Sequence, residues 1–220
     1  MSILIVFDCD GTLVDSQATI VSSAQAAFAY LGQPVPEPAA IRRIVGLSLV
    51  EAMRELLPPS ERGNAERLAA AYKEAFIAQR SRADFQEALF EGALEILVEL
   101  DRRGVPMGIA TGKAMRGLRH VLEHHGLERY FVTLQTADLH PSKPHPAMLE
   151  AAMREAGYQP EQTLLVGDTT FDILMARAAG AVPIGVAWGN HEPEELTAAG
   201  AVRVLERFDQ LLDHLPERAA

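Results

Sequence analysis

Two carboxylates, Asp8 and Asp10, stand two positions apart in the stretch VFDCDGTLVDS, directly behind an apolar run at residues 3–7. On an extended chain, positions i and i+2 project to the same side, and like charges this close repel unless a cation lies between them or one is protonated. Chemically suggestive groups also follow other apolar runs. Thr111, Gly112 and Lys113 follow residues 107–110, Lys143 sits in HPSKPHP, and GDTTFD carries Asp168 and Asp172 after residues 164–166. The last two acids are four apart, which places them on one face of a helix. Hard oxygen ligands from Asp8 and Asp168, completed by water, a backbone carbonyl or a phosphate oxygen, suit the octahedral preference of Mg²⁺. Gly11 and Thr12 allow a tight turn whose amides can face an anion.

These groups converge only if the apolar runs are parallel strands of one sheet, because ligands there lie beyond the carboxyl ends of the strands. Short β-branched and apolar runs recur at residues 3–7, 106–110, 130–134, 163–166 and 182–186, with helical stretches such as 93–103 and 146–156 between them. Runs without polar alternation, separated by helices, predict βαβ units and a strand buried on both faces. The expected fold class is α/β: a Rossmann-like parallel sheet core with helices on both faces, plus an inserted all-helical cap domain. Between residues 16 and 82 no strand pattern occurs. Helices are expected at 17–31, 37–45, 48–57 and 60–82, punctuated by Gly32, Pro34, Pro36, Gly46, Pro58 and Pro59. The chain is expected to leave the sheet near Val14 and return near Asp84, giving a core of 1–14 and 84–220 and a cap of 15–83. The acidic, alanine-rich C-terminus reads as a closing helix with a frayed end.

Bulk properties narrow the classes of function. The chain has 220 residues, 30 acidic against 20 basic side chains and a formal net charge of −10, which disfavours nucleic acid or an anionic membrane as a partner. An anionic substrate would therefore need local neutralisation by a bound cation and a few placed basic groups. No apolar stretch reaches the roughly 18 residues of a membrane span, and the N-terminus lacks a basic region and a cleavage site. A cytoplasmic protein is expected, as monomer or homodimer. The single cysteine, Cys9, excludes an intrachain disulfide framework, and Asp15 stands where thiol-phosphatase chemistry would want arginine, so Cys9 reads as a packing residue. His120 and His124 have a zinc-compatible spacing but no HExxH glutamate between them. His125 reads as a surface residue, and His140, His145 and Trp188 lie near the motif loops.

Taken together, DCDGTLVDS, the strand ending in Thr111, the later Lys143 and GDTTFDILMARAAG resemble the haloacid dehalogenase superfamily, in particular its phosphoglycolate phosphatase-like members with a helical cap. The resemblance spans essentially the whole chain and implies a Mg²⁺-dependent phosphatase acting on a small phosphorylated metabolite. It implies Asp8 as the nucleophile that becomes an aspartyl phosphate, and Asp10 as the acid and then the base. Thr111 and the amide of Gly112 would bind phosphoryl oxygens, with Gly11, Thr12 and Lys113 nearby. Lys143 would offset the negative charge. Asp8, Asp10 and Asp168 would form the metal site, with Asp172 as an outer or water-mediated ligand. Thr111 is also a candidate N-cap for the following helix.

Departures from relatives narrow the reaction. Asp10 favours phosphoryl transfer over dehalogenation, Ile20 and Leu49 stand where a sugar-phosphate mutase would carry histidine and arginine, and the one cap lysine, Lys73, lacks the surroundings of a phosphonatase. Pyrophosphatase activity stays within the family range. Specificity is expected from the cap loop VGLSLVEA and its neighbours Arg42, Arg43, Gly46 and Ser48, with Arg42 or Arg43 meeting a carboxylate. From other classes, a receiver-like phospho-acceptor would share the acids, threonine and lysine but is shorter and has no helical insert; an idle binding protein would have no use for costly buried charges.

Overall fold

A computed structural model describes residues 2–82, 85 and 87–215. Six strands form one sheet in the order β5-β4-β1-β6-β7-β8, where β1 is Leu4–Phe7, β4 Met107–Thr111, β5 Phe131–Thr136, β6 Thr163–Gly167, β7 Val182–Val186 and β8 Arg203–Leu205. Every neighbouring pair is parallel. Parallel neighbours need a crossover, and helices supply them. Alternation along β1 shows why its run is wholly apolar: Leu4 and Val6 join one buried cluster with Met148, Leu165 and Met175, whereas Ile5 and Phe7 join another with Leu97, Ile109 and Leu118. Helices α5 (Ala93–Arg102) and α6 (Met115–His125) therefore cover one face, and α7 (Ala147–Ala156) and α8 (Thr170–Ala178) cover the other. Strand β1 pairs with β4 on one side and β6 on the other. The strand order reverses there, so the carboxyl end of β1 opens into the crevice of the sheet.

Between the first two strands of that sheet the chain runs through α1 (Gln17–Tyr30), α2 (Pro38–Arg42), α3 (Leu49–Leu56) and α4 (Ala65–Arg80), which share a separate hydrophobic cluster around Ala24, Phe28, Ile41, Met53 and Leu68. The chain enters and leaves this helical segment through an antiparallel pair of two-residue strands, β2 (Val14–Asp15) and β3 (Ala88–Leu89). The expected return near Asp84 lies outside the described residues. Two expected helices are shorter than their patterns. The helix over 37–45 stops at Arg42, because Gly46 takes φ 99°, a left-handed conformation that turns the chain toward the sheet. The stretch 60–82 divides into a 3₁₀ turn, Pro59–Asn64, and α4.

The expected closing helix is corrected as well. The last described elements are α9 (Pro193–Ala199), β8 and a 3₁₀ segment, Phe208–His214. Phe208 and Leu211 are both buried in the sheet-facing cluster, and their i,i+3 spacing suits three residues per turn better than an α-helix. Residues 216–220 lie outside the described residues.

Candidate active site

The carboxyl ends of β1 and β6 deliver Asp8 and Asp168 to one point, and the first turn of α8 adds Asp172. All three are fully buried, and one carboxylate oxygen from each lies within 4.8 Å of the others. Each acid is held differently. Asp168 accepts from the Thr12 hydroxyl at 3.0 Å through Oδ1, and from the Asn190 backbone N–H and side-chain amide at 2.9 and 2.8 Å through Oδ2. Asp172 completes a capping box with Thr169, accepting its N–H at 3.1 Å and its hydroxyl at 2.7 Å. Asp8 accepts the Cys9 N–H at 2.7 Å through Oδ1, while its Oδ2 is buried with no hydrogen-bond partner.

Lys143 is the counter-charge. Its ammonium lies 3.0 Å from Asp8 Oδ1 and 2.6 Å from Asp172 Oδ1, with no exposed side-chain surface on any of the three. Burial works against its charge, but the two carboxylates more than offset this and hold it protonated. One cation among three acids is insufficient. Burial pushes Asp8 up to about 8 despite Lys143, with Asp172 and Asp168 adding to the rise. Burial and then Asp172 push Asp168 up to about 6. An orphaned oxygen facing a surplus of buried negative charge is what a divalent cation with oxygen ligands would relieve, so these residues fit a metal site.

Asp10 does not join this triad. Its Oδ1 accepts from Ser16 Oγ at 2.7 Å and from Lys113 Nζ at 2.9 Å, turning the carboxylate toward the helical segment. Burial opposes the Lys113 charge, but Asp10 and Glu87 outweigh it. Gly11 has φ 86°, and a Cβ there would come within 2.2 Å of Asp168 Oδ2. Only glycine lets the turn after β1 pass this close to the acids.

Thr111 ends β4 and is buried, its hydroxyl accepting the Lys113 N–H at 3.2 Å. The expected capping role falls elsewhere: α6 is preceded by Ala114, and Thr169 is the threonine that caps a helix. Gly112 lies under the loop of the helical segment, where an added Cβ would meet the carbonyl oxygens of Gly46 and Leu47 at 2.4 and 2.6 Å. That loop rests on the sheet side at further points. The Ser48 N–H donates to Ser142 Oγ at 2.7 Å, and Gly46 faces Thr169.

The two arginines separate. Arg43 reaches Glu195, before which it stands at 2.6 Å, and is half exposed. Arg42 is partly exposed with no described partner in the site. His191, which the sequence reading passed over, ties the same loop down: its Nδ1 accepts the Thr170 N–H at 3.1 Å, so Nε2 carries the proton and donates to the Arg43 carbonyl at 3.2 Å. His140 and His145 line a groove beside this contact, together with Ser48, Glu51 and Ser142. Trp188 serves as a support. Its indole N–H donates to the Thr12 carbonyl at 3.0 Å while its ring packs on Phe208. His125 is half-buried, with Nε2 2.8 Å from the Glu87 carbonyl oxygen, and His120 and His124 stack on α6.

A fold in which three buried acids and a buried lysine gather at the carboxyl ends of β1 and β6 is matched by comparison with known proteins. The model of the haloacid dehalogenase-like hydrolases matches residues 5–186. The chain belongs to that family. Among curated haloacid dehalogenase-like relatives, the "Probable phosphatase IndB" of Dickeya dadantii (strain 3937) is 37% identical over 217 residues, covering 96% of this chain and 93% of its own. A "Phosphoglycolate phosphatase" of Vibrio parahaemolyticus is 31% identical over 216 residues, covering 96% and 94%. The crystal structure of a hydrolase from Pseudomonas syringae superposes with a TM-score of 0.84 at 29% identity over 100% of both chains. The protein is thus an enzyme of a hydrolase family whose relatives carry phosphatase names. No helix among the described residues is long and apolar enough to cross a membrane.

Besides His191, the sequence reading missed Asn190 and Thr169, which bind the triad's carboxylates directly. Asn190 sits just past β7, where the rule of inspecting each strand's carboxyl end would have reached it. With two of its donors on Asp168 and its Oδ1 buried and unpartnered, it fixes one carboxylate of the buried triad. Asn190→Leu should weaken Mg²⁺ binding by about 10- to 100-fold, the usual cost of losing such an outer partner. Calorimetric titration of the metal checks this, and an unchanged affinity would reduce Asn190 to a loop residue.

Proposed function

We propose that this enzyme is a Mg²⁺-dependent phosphatase that hydrolyses a small phosphorylated metabolite, phosphoglycolate or a similar phosphate monoester, in the cytoplasm through an aspartyl-phosphate intermediate. Residues 15–83 act as a cap over a core formed by 1–14 and 84–220. The observation that carries the reading is Asp8: a buried carboxylate at the crevice, steadied through Oδ1 by Lys143 and left with Oδ2 unpartnered.

Asp8, Asp168 and the outer Asp172 would hold the ion, while Asp10, also expected among the ligands, has its carboxylate on Ser16 and Lys113. When bound, it supplies positive charge that keeps Asp8 ionised and offsets charge on the phosphoryl oxygens. An Asp8 oxygen attacks phosphorus and the bond to the leaving oxygen breaks, with Asp10 giving that oxygen its proton. Asp10 then takes a proton from the water that attacks the phosphoryl group, and the bond to Asp8 breaks, releasing phosphate. Ser16 and Lys113 hold one oxygen of Asp10, and no described hydrogen bond reaches the other, which leaves it for this proton. Thr111, the Gly112 amide and the turn at Gly11 and Thr12 would receive the phosphoryl oxygens, with Lys143 offsetting their charge. The loop of Gly46 and Ser48 excludes water while the phosphoenzyme forms.

The test is phosphate release from p-nitrophenyl phosphate, followed by a panel of small phosphate esters. Turnover should require Mg²⁺ and stop on chelation. Asp10→Asn should lower kcat by about 10²- to 10⁴-fold, the range of a lost general acid and base, with Mg²⁺ affinity largely kept. Unchanged kinetics in that variant would remove Asp10 from the mechanism.

A further inference from the structure

Beyond β7, consecutive residues each hold a different part of the site. Ala187 anchors the segment, its N–H donating to the Leu205 carbonyl at 2.9 Å. Trp188 donates its indole N–H to the carbonyl of Thr12, whose hydroxyl reaches Asp168. The Gly189 carbonyl accepts the side-chain amide of Gln17, the first residue of α1, at 3.2 Å. Asn190 gives two donors to the Asp168 carboxylate, and the His191 N–H reaches the Asp168 carbonyl at 3.3 Å. The His191 ring then spans from the Thr170 N–H to the Arg43 carbonyl. Gly189 and His191 thus grip the helical segment, at Gln17 and at Arg43, on either side of the residue that grips Asp168.

This strap has little slack. A Cβ on Gly189 would stand 2.1 Å from the Asp168 Cβ, and one on Gly11 would stand 2.5 Å from Asn190 Nδ2. His191 is buried, its ring centre 5.7 Å from that of Phe171. Close-packed interiors yield little and transmit strain. The acid under the strap is also one whose setting an ion would change. Without a divalent cation, Asp168 shares its buried corner with Asp8 and Asp172 against the one ammonium of Lys143. A bound cation relieves that repulsion and fixes the carboxylate, and the two Asn190 donors with it.

On the reading that these acids take Mg²⁺, we propose that residues 188–191 couple the ion to the cap: an occupied site holds residues 43–48 down over the sheet, and a seated cap tightens the site in turn. The coupling is a shift in the population of the seated loop, and it is reciprocal in binding free energy. Its consequence is that the cap closes over a loaded site in preference to an empty one.

Hydrogen exchange of the full chain, read on peptides covering residues 43–48 with and without saturating Mg²⁺, tests this; calorimetry establishes saturation for each protein. In the wild type Mg²⁺ should slow exchange there by about 5-fold or more, the lower end of common coupling between sites. His191→Leu should bring that ratio close to one, and Gln17→Met, a milder change, should lower it part-way. Glu195→Gln, which breaks only the half-exposed ion pair with Arg43, should keep the ratio. A wild-type ratio near one with Mg²⁺ bound, or an undiminished ratio in both His191→Leu and Gln17→Met, overturns the coupling and leaves the metal site standing. Absence of Mg²⁺ binding in the calorimeter overturns the metal reading and the coupling together.

Discussion

Asp8→Asn should abolish turnover, lowering kcat on p-nitrophenyl phosphate by about 10⁴-fold or more, while the metal-free protein keeps or raises its melting temperature. The first half follows from chemistry. An amide oxygen cannot attack phosphorus to form an aspartyl phosphate, so the covalent route is lost outright. The second half follows from burial. Asp8 is wholly enclosed, its ionised form is disfavoured up to about pH 8, and Oδ2 gains no hydrogen bond in return. An amide of the same shape carries no charge into that environment, and Lys143 retains Asp172 at 2.6 Å. Function and stability therefore move in opposite directions at this position. Added Mg²⁺ should stabilise the wild type far more than the variant, because one ligand of the ion is lost. Thermal denaturation with and without Mg²⁺, alongside phosphate release, measures both. Retained turnover would remove Asp8 as nucleophile, and a large fall in metal-free melting temperature would contradict the account of its burial.

The sheet was readable because parallel strands covered on both faces admit few polar residues, so residues 3–7 and 164–166 stand out as uninterrupted apolar runs. The acids were readable because they come immediately after those runs, at the edge where ligands bind. Other features required the third dimension. Arg203–Leu205 is too short and too mixed to announce a strand, and becomes one by pairing with β7. Thr111 and Thr169 both precede helices in sequence, yet only Thr169 has an acid three positions on to complete a capping box. Asp10 and Asp8 share a face of an ideal strand, but the chain turns at Gly11 and the two carboxylates part, one to Lys143 and the other to Lys113. The cap loop's contacts were hidden for a different reason. Gly112 and Gly46 matter through what their small size permits and Ser142 through the hydroxyl that accepts the Ser48 N–H, and sequence alone does not name the backbone that comes close.

Lys143 is the sharpest case of agreement, since the sequence assigns it the task of offsetting negative charge, and the fold encloses it completely between Asp8 and Asp172. Lys143→Met should be the most destabilising single change near the site. It leaves Asp8, Asp168 and Asp172 buried together without their cation, and breaking a buried pair by removing one partner costs about 3–5 kcal/mol. For a chain of this length that corresponds to roughly 6–20 °C in melting temperature. Turnover should fall by about 10²- to 10³-fold, as for the loss of one group stabilising transition-state charge. Mg²⁺ should recover part of the stability, because the ion binds only the folded site and supplies the missing charge. The pH dependence has a definite sign. Asp8 holds its proton to about 8 when folded against an ordinary value of 3.8, so metal-free folding takes up a proton and stability declines as pH rises through that interval. Without Lys143 to favour the ionised form the folded value climbs further, and the decline should extend to higher pH in the variant. Melting curves of metal-free wild type and Lys143→Met between about pH 5 and 9 test this. Equal slopes, or a variant within about 2 °C of wild type, would mean that Lys143 does not carry the charge balance of the site.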